Sequence, residues 1–233
     1  MNATQKMVLG RAAQGRARWL ALHPHPVLAF LYPAADGAAA RSTAVLFCPA
    51  FGWEEMCAYR GRRVWAQSLA QAGFPAATFS LPGCGDSGGS PRDPGLLDIW
   101  TASVSETAGW LAAATDAERV CAIGIGLGGI LACRALAAGA PIDDLILWGV
   151  PARGRTWLRE LRAYARIIGS RHPEDHQAGI DSDDDHEYTG FLLSADTARG
   201  LEELRLTELE LPRRPDRRVL LLGRDGSAPD RAL

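Results

Sequence analysis

The stretch RVCAIGIGLGGILAC, residues 119–133, contains two overlapping glycine patterns. Gly124, Gly126 and Gly129 match Gly-x-Gly-x-x-Gly, a spacing typical of loops that bind the pyrophosphate of a dinucleotide. Gly124, Gly126 and Gly128 match a sharp turn from a strand into a helix, because small residues on both sides of the corner let the two elements approach closely. The rest of the sequence decides between these two interpretations.

Short apolar segments alternate with segments of helical spacing along most of the chain. The predicted strands, some with the loop that follows them, lie within residues 27–34, 44–52, 75–82, 119–126, 144–151 and 217–230. The predicted helices cover residues 57–74, 98–115, 127–140, 153–172 and 195–206. Strands that are apolar throughout and alternate with helices indicate a mostly parallel sheet that is buried on both faces.

The length of 233 residues suits one globular domain, and the sequence has no internal repeats. We expect a single domain, residues 1–233. Residues 152–200 are expected to form a lid-like insertion, because the acidic stretch 173–190 has little apolar content and is typical of a solvated loop.

Composition limits the classes of partner. Of the 233 residues, 47% are hydrophobic and 22% are charged, and the formal net charge is -2. This balance argues against nucleic acid or an anionic membrane as a partner. No segment has the apolar run of a secretory signal or of a membrane span. The cysteines lack the spacing of a metal site or of a disulfide framework. We therefore expect a cytoplasmic protein without a metal or cofactor.

The dinucleotide interpretation makes demands that the neighbouring sequence does not meet. The glycine loop should follow the first strand of its unit, and the next strand should end in an acidic residue that binds the ribose. Several predicted strands precede the loop, and residues 144–151 end without an acid. Asp143 and Asp144 stand at the start of that strand instead. An NAD(P)-binding oxidoreductase is therefore the less favoured alternative.

Stretches at separate places in the chain resemble those of one family, the α/β-hydrolase superfamily. They are FCPAFG (47–52), LPGCGDSGGS (81–90), GIGLGG (124–129) and RRVLLLGRD (217–225), and they occur in the family's order. The resemblance extends over about residues 25–230. It is closest to bacterial branches described as serine-aminopeptidase-like or exosortase-associated hydrolases.

This resemblance implies a fold and an incomplete chain end. The fold is the three-layer α/β-hydrolase fold, with a mostly parallel central sheet and a small lid of helix and loop. The family usually continues with a further strand and helix that carry the catalytic histidine. The resemblance therefore predicts a truncated C-terminus.

The resemblance also assigns roles to individual residues. Gly126 stands where the family has its nucleophilic serine, so the corner is retained without an oxygen that could form an acyl-enzyme. The backbone N–H groups of Leu127 and Phe51 correspond to the oxyanion hole. Asp225 is the candidate catalytic acid, with Asp230 as a second candidate.

Other residues are candidates for a substitute nucleophile or base. Cys84 is a better substitute nucleophile than Ser87 in the glycine-rich loop, whereas Cys121 and Cys133 fit packing positions. No histidine follows the predicted acid at Asp225, where the triad order requires one. The histidines all lie earlier in the chain: His23, His25, His172, His176 and His186.

The sequence therefore predicts an α/β-hydrolase-fold protein related to esterases and peptidases that acts on or binds a small acyl compound, an ester or an amide. It should have little or no conventional serine-hydrolase activity, and whether it is an enzyme stays open. One alternative is a non-catalytic binding or scaffold protein whose pocket is filled. Another is an enzyme that polarises a carbonyl through the oxyanion hole alone. An open apolar pocket beside the elbow favours ligand binding, whereas a pocket filled by Trp or Phe favours the scaffold.

Overall fold

The helices and strands follow the predicted alternation over the parts of the chain that the computed structural model describes, residues 15–39, 41–169, 185–188 and 190–233. The strands are β1 (Arg16–Leu20), β2 (Val27–Tyr32), β3 (Thr43–Cys48), β4 (Ala76–Phe79), β5 (Arg119–Ile125), β6 (Asp144–Trp148), β7 (His186–Tyr188), β8 (Phe191–Leu193) and β9 (Val219–Leu222). The helices are α1 (Gly52–Gln71), α2 (Leu96–Thr115), α3 (Leu127–Ala137), α4 (Gly154–Gly169) and α5 (Ala195–Glu203), and a 3-10 turn covers Leu206–Glu208.

Within the described residues, one sheet of seven strands has the order β1-β2-β4-β3-β5-β6-β9. Strands β4, β3, β5, β6 and β9 are parallel to one another, whereas β1 and β2 pair antiparallel at one edge. The expected mostly parallel sheet is confirmed. Strand β1 was not predicted, because an edge strand exposed along most of its length needs no apolar run.

The sheet is buried on both faces, as the apolar strands predicted. In β3, Leu46 and Cys48 point into the larger core cluster, whereas Val45 and Phe47 point into a second cluster on the opposite face. Helices α2 and α3 pack on the first face and α1 packs on the second. This arrangement gives the three layers of the predicted fold.

Two boundaries differ from those predicted. Helix α1 begins at Gly52, several residues before the predicted start, because exposed apolar residues such as Trp53 and Met56 hide the helical spacing of its first turns. Residues 186–188, predicted as part of a solvated loop, form β7 and pair with β8. The remainder of the acidic stretch up to residue 184, with His172 and His176, lies outside the described residues.

The glycine-rich stretch forms a turn of one residue between β5 and α3. At the corner, Gly126 has φ 51° and ψ -115°. A Cβ atom on Gly124 would lie 2.3 Å from the backbone nitrogen of Gly129, and one on Gly128 would lie 2.4 Å from the carbonyl oxygen of Cys48. Main chain occupies both places, so neither position can carry a side chain. The sequence pattern is thus explained by close approach of backbone.

A buried carboxylate joins three strands at their amino-terminal ends, away from the glycine corner. Asp144 accepts hydrogen bonds from the backbone N–H of Arg218 at 2.8 Å and from the guanidinium groups of Arg119 and Arg218 at 2.9 and 2.6 Å. Burial alone would raise the pKa of Asp144, but the hydrogen bonds from Arg218 and Arg119 outweigh it and lower the pKa to about 2. This carboxylate therefore holds β5, β6 and β9 together.

Replacement of this carboxylate should change the acid stability of the protein. Because the folded-state pKa lies below the ordinary 3.8, the stabilisation is fully present above that pH and is lost as the pH falls towards about 2. Asp144→Asn should lower the free energy of unfolding at pH 7 by about 2 kcal/mol, since one pKa unit corresponds to about 1.4 kcal/mol. Urea unfolding at pH 7 and pH 3 would measure both effects.

Asp98→Asn is the matched control for this substitution. The Asp98 carboxylate also pairs with an arginine, Arg134, but its side chain is 77% exposed. Exposed pairs contribute about 1 kcal/mol or less. Equal losses of stability in the two variants would contradict the role assigned to Asp144.

Candidate active site

Gly126 lies at the carboxyl end of the central strand β5, and its backbone is fixed on both sides. Its N–H donates to the carbonyl oxygen of Trp148 at 3.1 Å, and its carbonyl accepts from the N–H groups of Gly129 and Ile130 at 3.2 and 3.3 Å. The positive φ at this corner is unfavourable for any residue with a side chain. The elbow is therefore a rigid part of the fold and glycine occupies it without strain.

A carboxylate occupies the space beside Gly126 into which a side chain would project. A Cβ atom built on Gly126 would lie 2.2 Å from Oε2 and 3.0 Å from Cδ of Glu54. Glu54 reaches this position from the first turn of α1, which follows directly from the loop after β3. It was not among the residues predicted from the sequence. The one sequence signal that could have identified it is its place just after FCPAFG.

The environment of Glu54 combines partial burial with one cationic partner. Its Oε1 accepts a hydrogen bond from Nη2 of Arg224 at 2.5 Å, and the Glu54 side chain is 26% exposed. Burial raises the pKa of Glu54 above its usual value. The cation of Arg224 lowers this pKa, and the nearby carboxylate of Glu160 raises it further. The site thus holds a carboxylate that is a stronger base than an ordinary exposed glutamate.

The two predicted oxyanion-hole residues come from different segments of the chain. Leu127 is the first residue of α3, and Phe51 directly precedes α1 in an extended conformation. Among the described residues, neither backbone N–H has a hydrogen-bond acceptor. The Glu55 carboxylate accepts from the N–H of Ala50 at 3.0 Å and pairs with the buried Arg62, which fixes the turn that carries Phe51.

A cavity of about 680 Å³ opens beside the elbow, between α1 and α4. Its walls are mainly apolar, and its aromatic lining residues are Phe51, Trp53, Trp65, Trp148, Trp157 and Tyr164. Trp65 stacks on Trp148 with ring centroids 5.4 Å apart, which makes one wall flat. The polar side chains of the lining are Glu54, Glu160, Arg224 and Asp225. The pocket is therefore open and apolar, not filled by aromatic rings.

The two candidate acids have different surroundings. Asp225 lies on the loop after β9 with φ 51°, and it lines the cavity. The Asp230 carboxylate instead accepts hydrogen bonds from backbone N–H groups, first that of Ala152 at 3.0 Å, and these bonds lower its pKa. Asp230 therefore serves as a cap for backbone groups. No histidine of the described residues lines the cavity.

The substitute nucleophiles considered from the sequence lie outside this cavity. Burial raises the pKa of Cys84 and of Cys133 to about 12 and that of Cys121 to about 11, so all three thiols are protonated at neutral pH. The Ser87 hydroxyl donates to the carbonyl oxygen of Ser80 and accepts from a backbone N–H, which is a structural role. None of these four residues lines the cavity.

The described histidines have other contacts. His25 pairs with the Asp93 carboxylate at 2.7 Å, and His186 lies in β7 near the ring of Tyr188. Among the described residues, no group of three or more His, Cys, Asp or Glu side chains could hold a metal ion. None of the helices described here combines the length and the apolar character that crossing a bilayer requires.

The surroundings of the glycine loop also bear on the dinucleotide interpretation. The loop follows β5, and the adjacent β6 ends at Trp148 without an acidic residue. Asp143 and Asp144 lie at the opposite end of the strands, where they bind backbone and arginine groups. No carboxylate from β6 therefore stands where a ribose would bind.

Comparison with known proteins gives the same fold. One similar structure is XC6422 from Xanthomonas campestris, described as an α/β serine hydrolase without lid, with a TM-score of 0.50 and 21% identity. The match covers 60% of this chain and 62% of XC6422. Hypothetical protein PA2218 from Pseudomonas aeruginosa has a TM-score of 0.60 and 16% identity, with 97% and 91% covered. Est1E from Butyrivibrio proteoclasticus, with ferulic acid bound, has a TM-score of 0.57 and 15% identity, with 83% and 73% covered. At such identities the likeness concerns the fold alone.

The sequence comparisons add the family. No curated protein matches the chain significantly. The model of a family described as the alpha/beta hydrolase family matches residues 45–232, which include β3, the elbow and β9. With the three-layer architecture and the glycine elbow already described, this match shows that the chain belongs to the α/β hydrolase family.

Proposed function

We propose that this protein binds a small acyl compound, an ester or an amide, in the cavity between α1 and α4, without the chemistry of a serine nucleophile. The observation that carries this proposal is the open apolar cavity beside the elbow, whose volume of about 680 Å³ is within the range of small-molecule sites. A scaffold protein with a filled pocket, the alternative, would not have this open space.

The cavity walls support an apolar acyl part. Cys57, Ala58 and Gly61 line the α1 side with small side chains, which leaves room for a chain, and Leu161 and Tyr164 of α4 face them. Each buried methylene group contributes about 0.8 kcal/mol, so affinity should increase with chain length. The participation of α4 supports the proposal that residues 152–200 act as a lid-like insertion.

The polar end of the ligand is proposed to lie at the elbow. A carbonyl oxygen is an acceptor only, and the backbone N–H groups of Leu127 and Phe51 are proposed to bind it as the oxyanion hole of the family does. Asp225 is proposed to contribute a polar wall, since no histidine among the described residues lines the cavity for it to orient. Gly126 provides the sharp corner, with no reactive atom.

The narrower assignments are supported mainly by the sequence. The motif order supports the serine-aminopeptidase-like or exosortase-associated bacterial branch, which we retain as a proposal. All five cysteines are free, which supports the proposed cytoplasmic location, where thiols stay reduced. The net charge of -2 supports a small-molecule partner over nucleic acid.

A larger side chain in the cavity should weaken ligand binding without harm to the fold. A Cβ on Gly61 meets nothing within 4 Å and the residue lies inside α1, so a leucine there would project into the cavity. We expect Gly61→Leu to weaken binding of 2-decanone, a ketone that cannot be hydrolysed, at least about tenfold, roughly the effect of removing two methylene contacts. Tryptophan fluorescence titration would measure the affinity.

Thermal unfolding controls this experiment. Replacing a glycine inside a helix gains about 0.5–1 kcal/mol, so Gly61→Leu should not lower the melting temperature. Gly109→Ala, in α2 outside the cavity, gives the same helical gain and should bind 2-decanone as the wild type does. Unchanged affinity in Gly61→Leu would refute the proposed groove, and no binding by the wild type would favour the scaffold.

Restoring a serine at the corner should not restore serine-hydrolase chemistry. The new Cβ would lie 2.2 Å from Oε2 of Glu54, and the serine would have an unfavourable φ. Gly126→Ser should therefore lose about 1–3 kcal/mol of stability. Combining it with Glu54→Ala should recover part of that loss. Urea unfolding of the single and double variants would measure this coupling.

A fluorophosphonate probe tests the absence of a nucleophile directly. We expect no labelling of the wild type, because Gly126 supplies no oxygen and the buried thiols are protonated. Gly126→Ser should also stay unlabelled, since no described histidine lines the cavity to act as its base. Labelling of the wild type would mean that a nucleophile lies elsewhere and that the interpretation of the elbow is wrong.

A further inference from the structure

We propose that Glu54 is a general base that activates water for hydrolysis of an apolar alkyl ester at the glycine elbow. This inference rests on the proposed function, because it uses the same cavity for the acyl chain. It assigns an activity to a site that has lost its serine.

The position of the carboxylate is the first support. Oε2 of Glu54 lies 2.2 Å from where a Cβ on Gly126 would be, and a serine hydroxyl oxygen would be one bond beyond that atom. An oxygen of this chain therefore stands close to the place of the missing nucleophile. It reaches that place from α1, a different element, and it lines the same cavity.

The two carboxylate oxygens have different surroundings. Oε1 accepts the hydrogen bond from Arg224 at 2.5 Å, whereas Oε2 is the atom nearest the corner. Arg224 comes from the loop after β9, a different segment from α1, and its hydrogen bond to Oε1 holds the carboxylate beside the elbow. Arg224 is thus a positioning residue, and Oε2 is the oxygen available to a water molecule.

The choice of base over nucleophile follows from leaving groups. If Oε2 attacked an ester carbonyl directly, the tetrahedral intermediate would expel the carboxylate again, because an alkoxide is a much poorer leaving group. When a water molecule activated by Oε2 adds instead, the intermediate can go forward, because hydroxide is no better a leaving group than the alkoxide and the protonated Glu54 can return its proton to the alkoxide oxygen as that bond breaks. The carboxylate is therefore suited to remove a proton and unsuited to form an acyl-enzyme.

The charges around Glu54 tune it for this task. Burial raises the pKa of Glu54, and Glu160 on α4 adds to the rise, whereas Arg224 lowers the pKa. Asp225 follows Arg224 in the same loop, and Cys57 lies one turn further along α1 at the cavity wall. A base is most effective when its pKa is nearer the working pH, so the raised value favours catalysis.

The reaction balances with water alone. Glu54 takes a proton from water while the water oxygen bonds to the carbonyl carbon, and the resulting oxyanion is bound by the N–H groups of Leu127 and Phe51. The bond from the carbonyl carbon to the alkoxide oxygen then breaks. The proton on Glu54 passes to that oxygen, which yields the acid and the alcohol and restores the carboxylate.

Hydrolysis of ethyl octanoate, with the released octanoic acid measured by mass spectrometry, tests this step. Glu54→Gln should lower kcat/KM by about 10²-fold, the usual contribution of a general base. Glu54→Asp, which keeps the charge but withdraws it from the corner, should also lose activity. Glu203→Gln, on α5 and outside the cavity, is the matched control and should hydrolyse the ester as the wild type does.

The pH profile separates a base from a structural role. A base works when deprotonated, so kcat/KM of the wild type should fall as the pH falls through the pKa of Glu54, which lies above 4.5. Arg224→Met removes the partner that lowers this pKa, so the fall should move to higher pH. The residual activity of Glu54→Gln should lack that fall.

Binding of 2-decanone distinguishes the two proposals. If the wild type and Glu54→Gln bind the ketone equally and hydrolyse the ester equally, the role of Glu54 as base is overturned and the acyl site stands. Absence of hydrolysis by a wild type that binds the ketone overturns it as well. If the wild type does not bind the ketone, the acyl site fails and this inference fails with it.

Discussion

The close approach of β5, α3 and the end of β3 at one corner is the constraint on which the site depends. The chain reverses between β5 and α3 within a single residue, and main-chain atoms of Gly129 and Cys48 occupy the places where side chains at Gly124 and Gly128 would be. Any residue larger than glycine at these two positions would push the helix off the sheet. The elbow is therefore preserved by packing, independently of whether a nucleophile stands on it.

Gly126 has no side chain, and another element occupies the space beside it. Glu54 enters it from the start of α1, and Arg224 approaches from the loop after β9, so the two segments meet over Gly126. Glu55, the next residue of α1, bonds the N–H of Ala50 and pairs with the buried Arg62. These contacts make the elbow part of a fixed polar arrangement with an open apolar cavity on one side.

The two ends of the parallel strands have different roles. Where the strands begin, Asp144 and the arginines around it tie three strands together through buried hydrogen bonds. Where the strands end, the loops diverge and leave the cavity, as is usual for ligand sites of parallel sheets. The stabilising charges and the site are thus separated by the length of β5 and β6, and the apolar walls between α1 and α4 are free to accept a ligand.

The sequence by itself determined the parallel sheet, the elbow and the family, because apolar strands, helical spacing and glycine positions are local patterns that one stretch of chain carries. It did not predict β1 or the start of α1, where exposed residues hide the pattern. It also did not identify Glu54, because the meeting of residues 54, 126 and 224 is a contact across the fold. Only the tertiary structure decided that a carboxylate lies at the corner and that the pKa of the Cys84 and Cys133 thiols is raised, since the contact and the burial both depend on which distant elements pack there.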